Sequence, residues 1–271
     1  MSLRVKDIEE IMENYAPSKF KESYDNVGLM VGDGEEEVKG ILIALDCTLN
    51  VIQEAVDKKC NLILTHHPLF FNRPSSITKD TLQGKKTIEL IKNNINLLSS
   101  HTNLDSVYGG LNSLIMKKLG FENYSTMELS IAREPGDNVT GVGRLAILDE
   151  AISIKELCKM VKSKLHIPFI RYTGDESWKV NKIAVINGSG EDFFSISKKL
   201  GAQCIITGDT TYHYASDYTE EGISIIDVGH FETEWPAFKM FGELLQEQLK
   251  EKEYDVEIII SEKTSRVYKF K

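Results

Sequence analysis

Residues 40–65 read GILIALDCTLNVIQEAVDKKCNLILT. The apolar run at 40–46 reads as a strand. Val51, Ile52, Ala55 and Val56 then recur at helical spacing over 50–60, and NLILT at 61–65 reads as a second strand. Strand, helix and strand in this order favour an α/β architecture. The same rhythm continues outward. A helix pattern covers 86–93, INLLSS (95–100) is a third strand, and Leu111, Leu114, Ile115 and Leu119 mark a helix that Gly120 stops.

The second half repeats the theme. KIAVING (182–188) is a strand, DFFSISKKLG (192–201) a helix with a glycine stop, and CIITGD (204–209) and ISIIDVGH (223–230) are strands. The first two strands of each half match at a constant offset of 142, which sets Leu45 on Asn187 and Thr65 on Thr207. The third strands end in His101 with Asp105 and in His230 with Glu234, each a histidine followed four residues later by a carboxylate. This spacing suggests an internal duplication. Between the halves, 127–150 carries a Pro-Gly-Asp turn, and Ser153 and Glu156 form a capping box for a helix running to about Leu165. The expected domains are 1–126 with 229–271, and 127–228. At the C-terminus a helix is expected over 236–251, started by Pro236. It is followed by a closing pair of strands at 256–261 and 266–270. Residues 1–16 read as an amphipathic helix with Ile8, Ile11, Met12 and Tyr15 on one face.

Composition narrows the function classes. With 271 residues, 41% hydrophobic and 27% charged, the chain is ordinary for a soluble globular protein. A net charge of −9 argues against a global nucleic-acid footprint. No run approaches the roughly 18 apolar residues that span a bilayer, and the N-terminus lacks the apolar core of a signal peptide. Cys47, Cys60, Cys158 and Cys204 are scattered without a CxxC and read as buried hydrophobes of a cytoplasmic protein.

The ligand-grade residues gather at the C-terminal ends of the expected strands, where open α/β sheets bind ligands: His66, His67, His101, Asp105, His230 and Glu234. Four of the chain's six histidines are in this set. Successive strand side chains face opposite ways, so His66 and His67 serve one site only where the chain leaves the sheet; Pro68 favours such an exit. Alternatively the pair serves two neighbouring ions. An isolated His-His pair is more often a hydrogen-bonded surface or core feature; the nearby H-x3-D and H-x3-E spacings favour metal. Imidazole with carboxylate suits Zn, Mn, Fe, Co or Ni better than Ca or Mg. Two such ions against two carboxylates leave positive charge for an anionic substrate group such as phosphate, and they acidify water. His101 and His213 are candidate acid–base groups. Asp46, Asp209 and Tyr212 lie just past strands and line the same rim. Asp25 and Asn26 read as a turn before a short strand, Gly188-Ser189-Gly190 as a weak phosphate nest, and His166 as packing.

SYDNVGLMVGD (23–33), LTHHPLFF (64–71), SHTNLD (100–105) and GHFETE (229–234), in this order, resemble the GTP cyclohydrolase 1 type 2 homologues, also called the NIF-three-like proteins. The resemblance covers nearly the whole chain. It implies two intertwined, similar α/β halves, with mixed sheets flanked by helices and a cleft between them holding two divalent ions. The implied ligands are His66, His67, Asp105, His230 and Glu234, with His101 beside them. It also implies a homohexamer. The short stretch between Asn123 and Val185 marks the form without an inserted domain. Tyr24 stands where many relatives have tryptophan, which touches no ligand. The implied activity is metal-dependent hydrolysis of a nucleotide-like or phosphorylated metabolite; the alternative is a non-catalytic metal-dependent binding or regulatory scaffold.

Overall fold

The computed structural model describes residues 2–269. In chain order the elements begin with α1 (Val5–Tyr15), β1 (Gly28–Val31), β2 (Ile41–Ala44), α2 (Leu49–Asp57), β3 (Leu62–Thr65), α3 (Leu82–Lys92), β4 (Asn96–Ser99) and α4 (Thr102–Ser106). There follow α5 (Leu111–Leu119), β5 (Tyr124–Leu129), β6 (Gly141–Ser153), α6 (Ile154–Leu165), β7 (Arg171–Tyr172) and β8 (Lys179–Ser189). The chain closes with α7 (Phe194–Lys199), β9 (Cys204–Gly208), α8 (Tyr212–Glu220), β10 (Ser224–Asp227), α9 (His230–Glu251) and β11 (Ile258–Ile260). No helix of the described residues is long and apolar enough to cross a membrane.

The chain forms two compact units, Met1–Leu104 with Phe238–Lys271, and Asp105–Ala237. These divisions differ from the boundaries near 126 and 228 expected from sequence. The reason is α5, which packs against β6, β8 and α6 and so belongs with the second unit.

The first unit holds a sheet ordered β1-β4-β3-β2-β11, in which only β1 is antiparallel to its neighbour. Every residue of β2, β3 and β4 is buried, as expected of parallel strands covered on both faces. Leu42, Ile63 and Leu97 pack with Val51, Ile52 and Ala55 of α2. On the other face α9 approaches closely: a Cβ added at Gly242 would lie 3.0 Å from Ile260 and 3.2 Å from Ile43. Each such aliphatic side chain contributes about 1.5–3 kcal/mol by burial.

The second unit holds a sheet ordered β5-β6-β8-β9-β10-β7. Strands β8, β9 and β10 are parallel, and β7 lies antiparallel beside β10 as β1 does beside β4. Ile41 pairs with Leu62, and at the offset of 142 Ile183 pairs with Cys204. The repeat in the sequence is thus a repeat of strand order and register. The core gathers Leu145, Ala184, Ile186, Phe194, Ile205 and Ile225. All four cysteines are buried and unbridged. Burial pushes the Cys47 thiol up to about 12 and those of Cys60 and Cys158 to about 11, so none is a ready nucleophile.

Three local expectations change. Helix α9 starts at His230 rather than at Pro236, which lies inside it. Proline there gives up the bond to the Glu232 carbonyl and crowds that carbonyl with its ring, a local cost carried by the rest of the 22-residue helix. Gly229, at φ +95°, turns the chain from β10 into the helix, and an added Cβ would strike the Glu232 carboxylate at 2.3 Å. The last expected strand is absent over 266–269, where Val267 and Tyr268 are exposed and no ladder partner is present among the described residues; Phe270 lies outside them. His166 is exposed, ending α6 in the left-handed region at φ +55°, and is not a packing residue.

The capping box is present as expected. Ser153 Oγ accepts from the Glu156 N–H at 3.2 Å, and Glu156 Oε2 accepts from the Ser153 hydroxyl at 2.6 Å and from its N–H at 2.8 Å. The Ser153 hydroxyl, then its N–H, then Lys179 push the Glu156 carboxyl down to about 2. Its folded value lies below the ordinary one, so its stabilisation is present above the ordinary carboxylate range and is lost as pH falls toward about 2. Ser153→Ala is expected to return Glu156 toward the ordinary range in an NMR titration of its carboxyl carbon. An unchanged titration would contradict the box.

Candidate metal centre

In the first unit the site is built on the ends of β3 and β4. Strand β3 stops at Thr65, whose hydroxyl donates to the His67 carbonyl at 2.9 Å. The sheet ends there, so the alternation rule no longer separates the adjacent rings, and the His66 and His67 centroids lie 5.2 Å apart. His101, just past β4, joins them at 5.0 Å from His66 and 5.5 Å from His67. One ring nitrogen from each of the three lies within 4.8 Å of the others. His66 is fully buried against Phe238, and His67 and His101 are half-buried.

Each ring is oriented from behind. His66 Nδ1 meets the Ser100 carbonyl at 3.0 Å, His67 Nδ1 meets Asp46 Oδ1 at 2.8 Å, and His101 Nδ1 meets Asp25 Oδ1 at 2.9 Å. A carbonyl or carboxylate oxygen only accepts, so each Nδ1 carries the proton. The lone pair of the neutral ring is then on Nε2, the tautomer that ligates metal. Burial alone would raise the Asp25 carboxyl; hydrogen bonds from His101 and Thr102 outweigh it and hold the group below the usual carboxylate range.

The second unit repeats the device at the ends of β9 and β10. His230, the first residue of α9, sets Nδ1 against Asp209 Oδ2 at 2.8 Å, and its Nε2 lies 3.0 Å from Glu234 Oε2 one helical turn on. Glu234 is 3% exposed. Gly188 makes room for it: a Cβ there would sit 2.3 Å from Glu234 Oε1, and φ is +64°. The Gly188 N–H donates to Thr233 Oγ1 at 2.8 Å. Gly188 therefore makes room for a carboxylate, while Gly190 packs against Thr207 and Ile186, and the stretch does not serve as a phosphate nest. Gly188→Ala is expected to displace Glu234 and weaken metal binding by roughly 10–100-fold, measured by competitive metal titration; unchanged affinity would free Glu234 from the ligand set.

Asp105, in α4, is 9% exposed and accepts from Asn187 Nδ2 at 2.7 Å. Asn112 ties this arrangement together: its Nδ2 donates to the Asp105 carbonyl, and its Oδ1 accepts from the Asn187 N–H. His213 lies on exposed α8 with its ring against Tyr212, in neither ligand cluster. Sequence reading passed over Asp25 as a turn residue, noted Asn187 only as a repeat position, and missed Asn112. Asp25 meets His101 across 76 positions, a contact without a local signal, although the SYDNVG motif contained it.

Residues 3–266 match the family model Duf34/NIF3 (NGG1p interacting factor 3). The chain is 49% identical over 271 residues to a Clostridium acetobutylicum protein called GTP cyclohydrolase 1 type 2 homolog, with 100% of each covered. Among solved structures, a Staphylococcus aureus hypothetical protein matches with a TM-score of 0.91 and 29% identity over 100% of both chains. Reduced HcgD from Methanocaldococcus jannaschii matches at 0.82 and 31%, covering 97% of this chain and 99% of that one.

Proposed function

The chain belongs to the Duf34/NIF3 family, and from that premise we propose that it is a divalent-metal-dependent hydrolase of a nucleotide-like or phosphorylated metabolite. His66, His67, Asp105, His230 and Glu234 would hold two ions of the Zn, Mn, Fe, Co or Ni class. The observation that carries this reading is the common orientation of four imidazoles, each with Nδ1 given to an oxygen and Nε2 presented. Hydrogen-bonded surface histidines have no reason to share one tautomer at repeated strand ends.

The donor set fits such ions, which would supply Lewis acidity toward an anionic oxygen and a more acidic water. Two carboxylates do not neutralise two dications, and the remaining positive charge selects an anionic substrate. The relatives' name points the same way, toward a nucleotide. The chain's own residues then divide the work. Asp46 and Asp209 hold His67 and His230 in the ligating tautomer. His101 accepts a proton at Nε2, and Asp25 stabilises the resulting charge through Nδ1–H. No step falls to His213. A homohexamer is proposed for the assembly, to be checked by sedimentation.

The test is elemental analysis of the native protein, followed by a turnover screen over nucleoside phosphates and phosphoesters with Mn or Zn. Two ions per chain, with turnover lost on chelation and restored by metal, is the expected result; turnover that survives complete metal removal would refute it. A second reading, a non-catalytic metal-dependent binding scaffold, is favoured by one observation: His213, the other candidate acid–base group, lies in neither cluster, which leaves His101 to carry proton transfer alone. Tight binding of an unreacted anion across the same screen would select it.

A further inference from the structure

We infer that Asp227 and Arg171 form a positioning pair that sets the orientation of His230 by locking together the two loops that carry it and Asp209. The inference rests on the reading of His230 as a metal ligand only in its second consequence, metal affinity; the first, ring orientation, stands without it.

Asp227 ends β10 and is 5% exposed. Its Oδ2 accepts from the Thr210 N–H at 3.0 Å, from the Thr210 hydroxyl at 2.6 Å and from the Arg171 guanidinium. Its Oδ1 accepts from the Gly229 N–H at 3.0 Å. Thr210 is the neighbour of Asp209, and Gly229 is the neighbour of His230. One carboxylate therefore ties the residue after the anchor to the residue before the ligand. The loops are tightly apposed as well: a Cβ at Gly208 would lie 2.4 Å from the His230 nitrogen. Asp209 sits at φ +54°, uncommon outside glycine although Asp adopts it more readily than most residues, so its surroundings help enforce it. The bonds to Thr210 supply that enforcement.

Arg171 completes the arrangement. Strand β7 is two residues long and pairs only with β10, setting Arg171 directly opposite Asp227. The Arg171 side chain is 72% exposed, against 5% for Asp227. The guanidinium thus covers a buried carboxylate from outside and balances its charge while the loops use its other lone pairs. A group aimed at acceptors only, on so short a strand, has little packing to contribute; its contribution is to the acceptor geometry of Asp227.

The experiment compares Arg171→Met, Arg171→Lys and Asp227→Asn with the parent chain, first metal-free and then with Mn²⁺. Long-range ¹⁵N–¹H NMR reads the tautomer of each histidine, and urea midpoints report folding. In Arg171→Met, His230 is expected to shift from the single Nδ1–H tautomer toward a mixture while His66, His67 and His101 keep theirs. Mn²⁺ affinity is expected to fall about 10-fold. Arg171→Lys should recover most of both effects. Asp227→Asn, which turns a donor toward donors, should give the larger shift. A His230 tautomer unchanged in both Arg171→Met and Asp227→Asn overturns the inference, as does an equal shift of all four rings accompanied by a lower urea midpoint. A changed tautomer with unchanged Mn²⁺ affinity supports the positioning role and counts against His230 as a ligand.

Discussion

If the proposed metal-dependent reading holds, alanine in place of His67 will leave a folded chain that retains at most one ion and has lost metal-dependent turnover. The ring is half-buried and its hydrogen-bond partner, Asp46, has a side chain 51% exposed, so water can replace the bond that His67 made. The neighbouring backbone is held independently: the His67 N–H still donates to the Leu45 carbonyl, and its carbonyl still accepts from Thr65. The urea midpoint should therefore barely move, whereas retained metal should fall from two ions per chain to one or fewer. His66 would make a poorer test, because a fully buried ring leaves a cavity and mixes stability with binding. Loss of a ligand must cost more than loss of the group behind it, and such outer groups are worth roughly 10–100-fold in affinity. Asp46→Asn keeps an acceptor for Nδ1–H and removes only the charge, so it belongs near the lower end of that range; Asp46→Leu removes both and belongs near the upper. Retention of two ions by His67→Ala after exhaustive dialysis would remove this residue from the centre.

The parts of this molecule that were legible in sequence are those where one physical cause acts locally. ILIA, LILT and the run ending at Ser99 are apolar but for Thr65, Asn96 and Ser99 because parallel strands are covered on both faces, and they fold as read. The histidines were legible as a set because strand ends gather them. Where two causes competed, the reading failed. Proline commonly opens a helix, so Pro236 looked like a first helical residue; the polar stretch HFETE before it has no apolar period to betray a helix, yet there it places His230 and Glu234 one turn apart. RVYKF alternates like a strand, but alternation describes a face and does not supply a partner. Asp25 was hidden by its own turn chemistry, which any Asp-Asn pair has.

Arg144 was hidden for a different reason. A charged residue in GVGRLAIL reads as the solvent face of a strand, but this side chain is fully buried. Its donors reach the carbonyls of Gly141 and Gly143 at 2.9 Å each, that of Val107 at 3.3 Å and the Ser113 hydroxyl at 3.3 Å. Burial lowers the guanidinium to about 10, still charged at neutral pH, while Tyr124 and Asp105 pull it back up. Arg144→Ala is accordingly expected to lower the unfolding free energy by on the order of 3–5 kcal/mol, read from urea denaturation, since it opens a cavity and strands several buried acceptors at once. That is a large share of the roughly 5–15 kcal/mol that holds a typical domain together. Arg144→Met fills the space and removes the cost of burying a charge, so it should fall between the parent and alanine; Arg144→Lys keeps the charge but cannot span four acceptors, and should resemble Met or worse. On the proposed metal-binding reading the damage should reach the site as well, because Val107 lies two residues past Asp105 and Ser113 directly follows Asn112, whose Nδ2 donates to the Asp105 carbonyl. Folded Arg144→Met at low temperature should therefore bind metal more weakly than the parent. If it unfolds at the parent's urea midpoint, the buried guanidinium is not what holds this corner of the second unit in place.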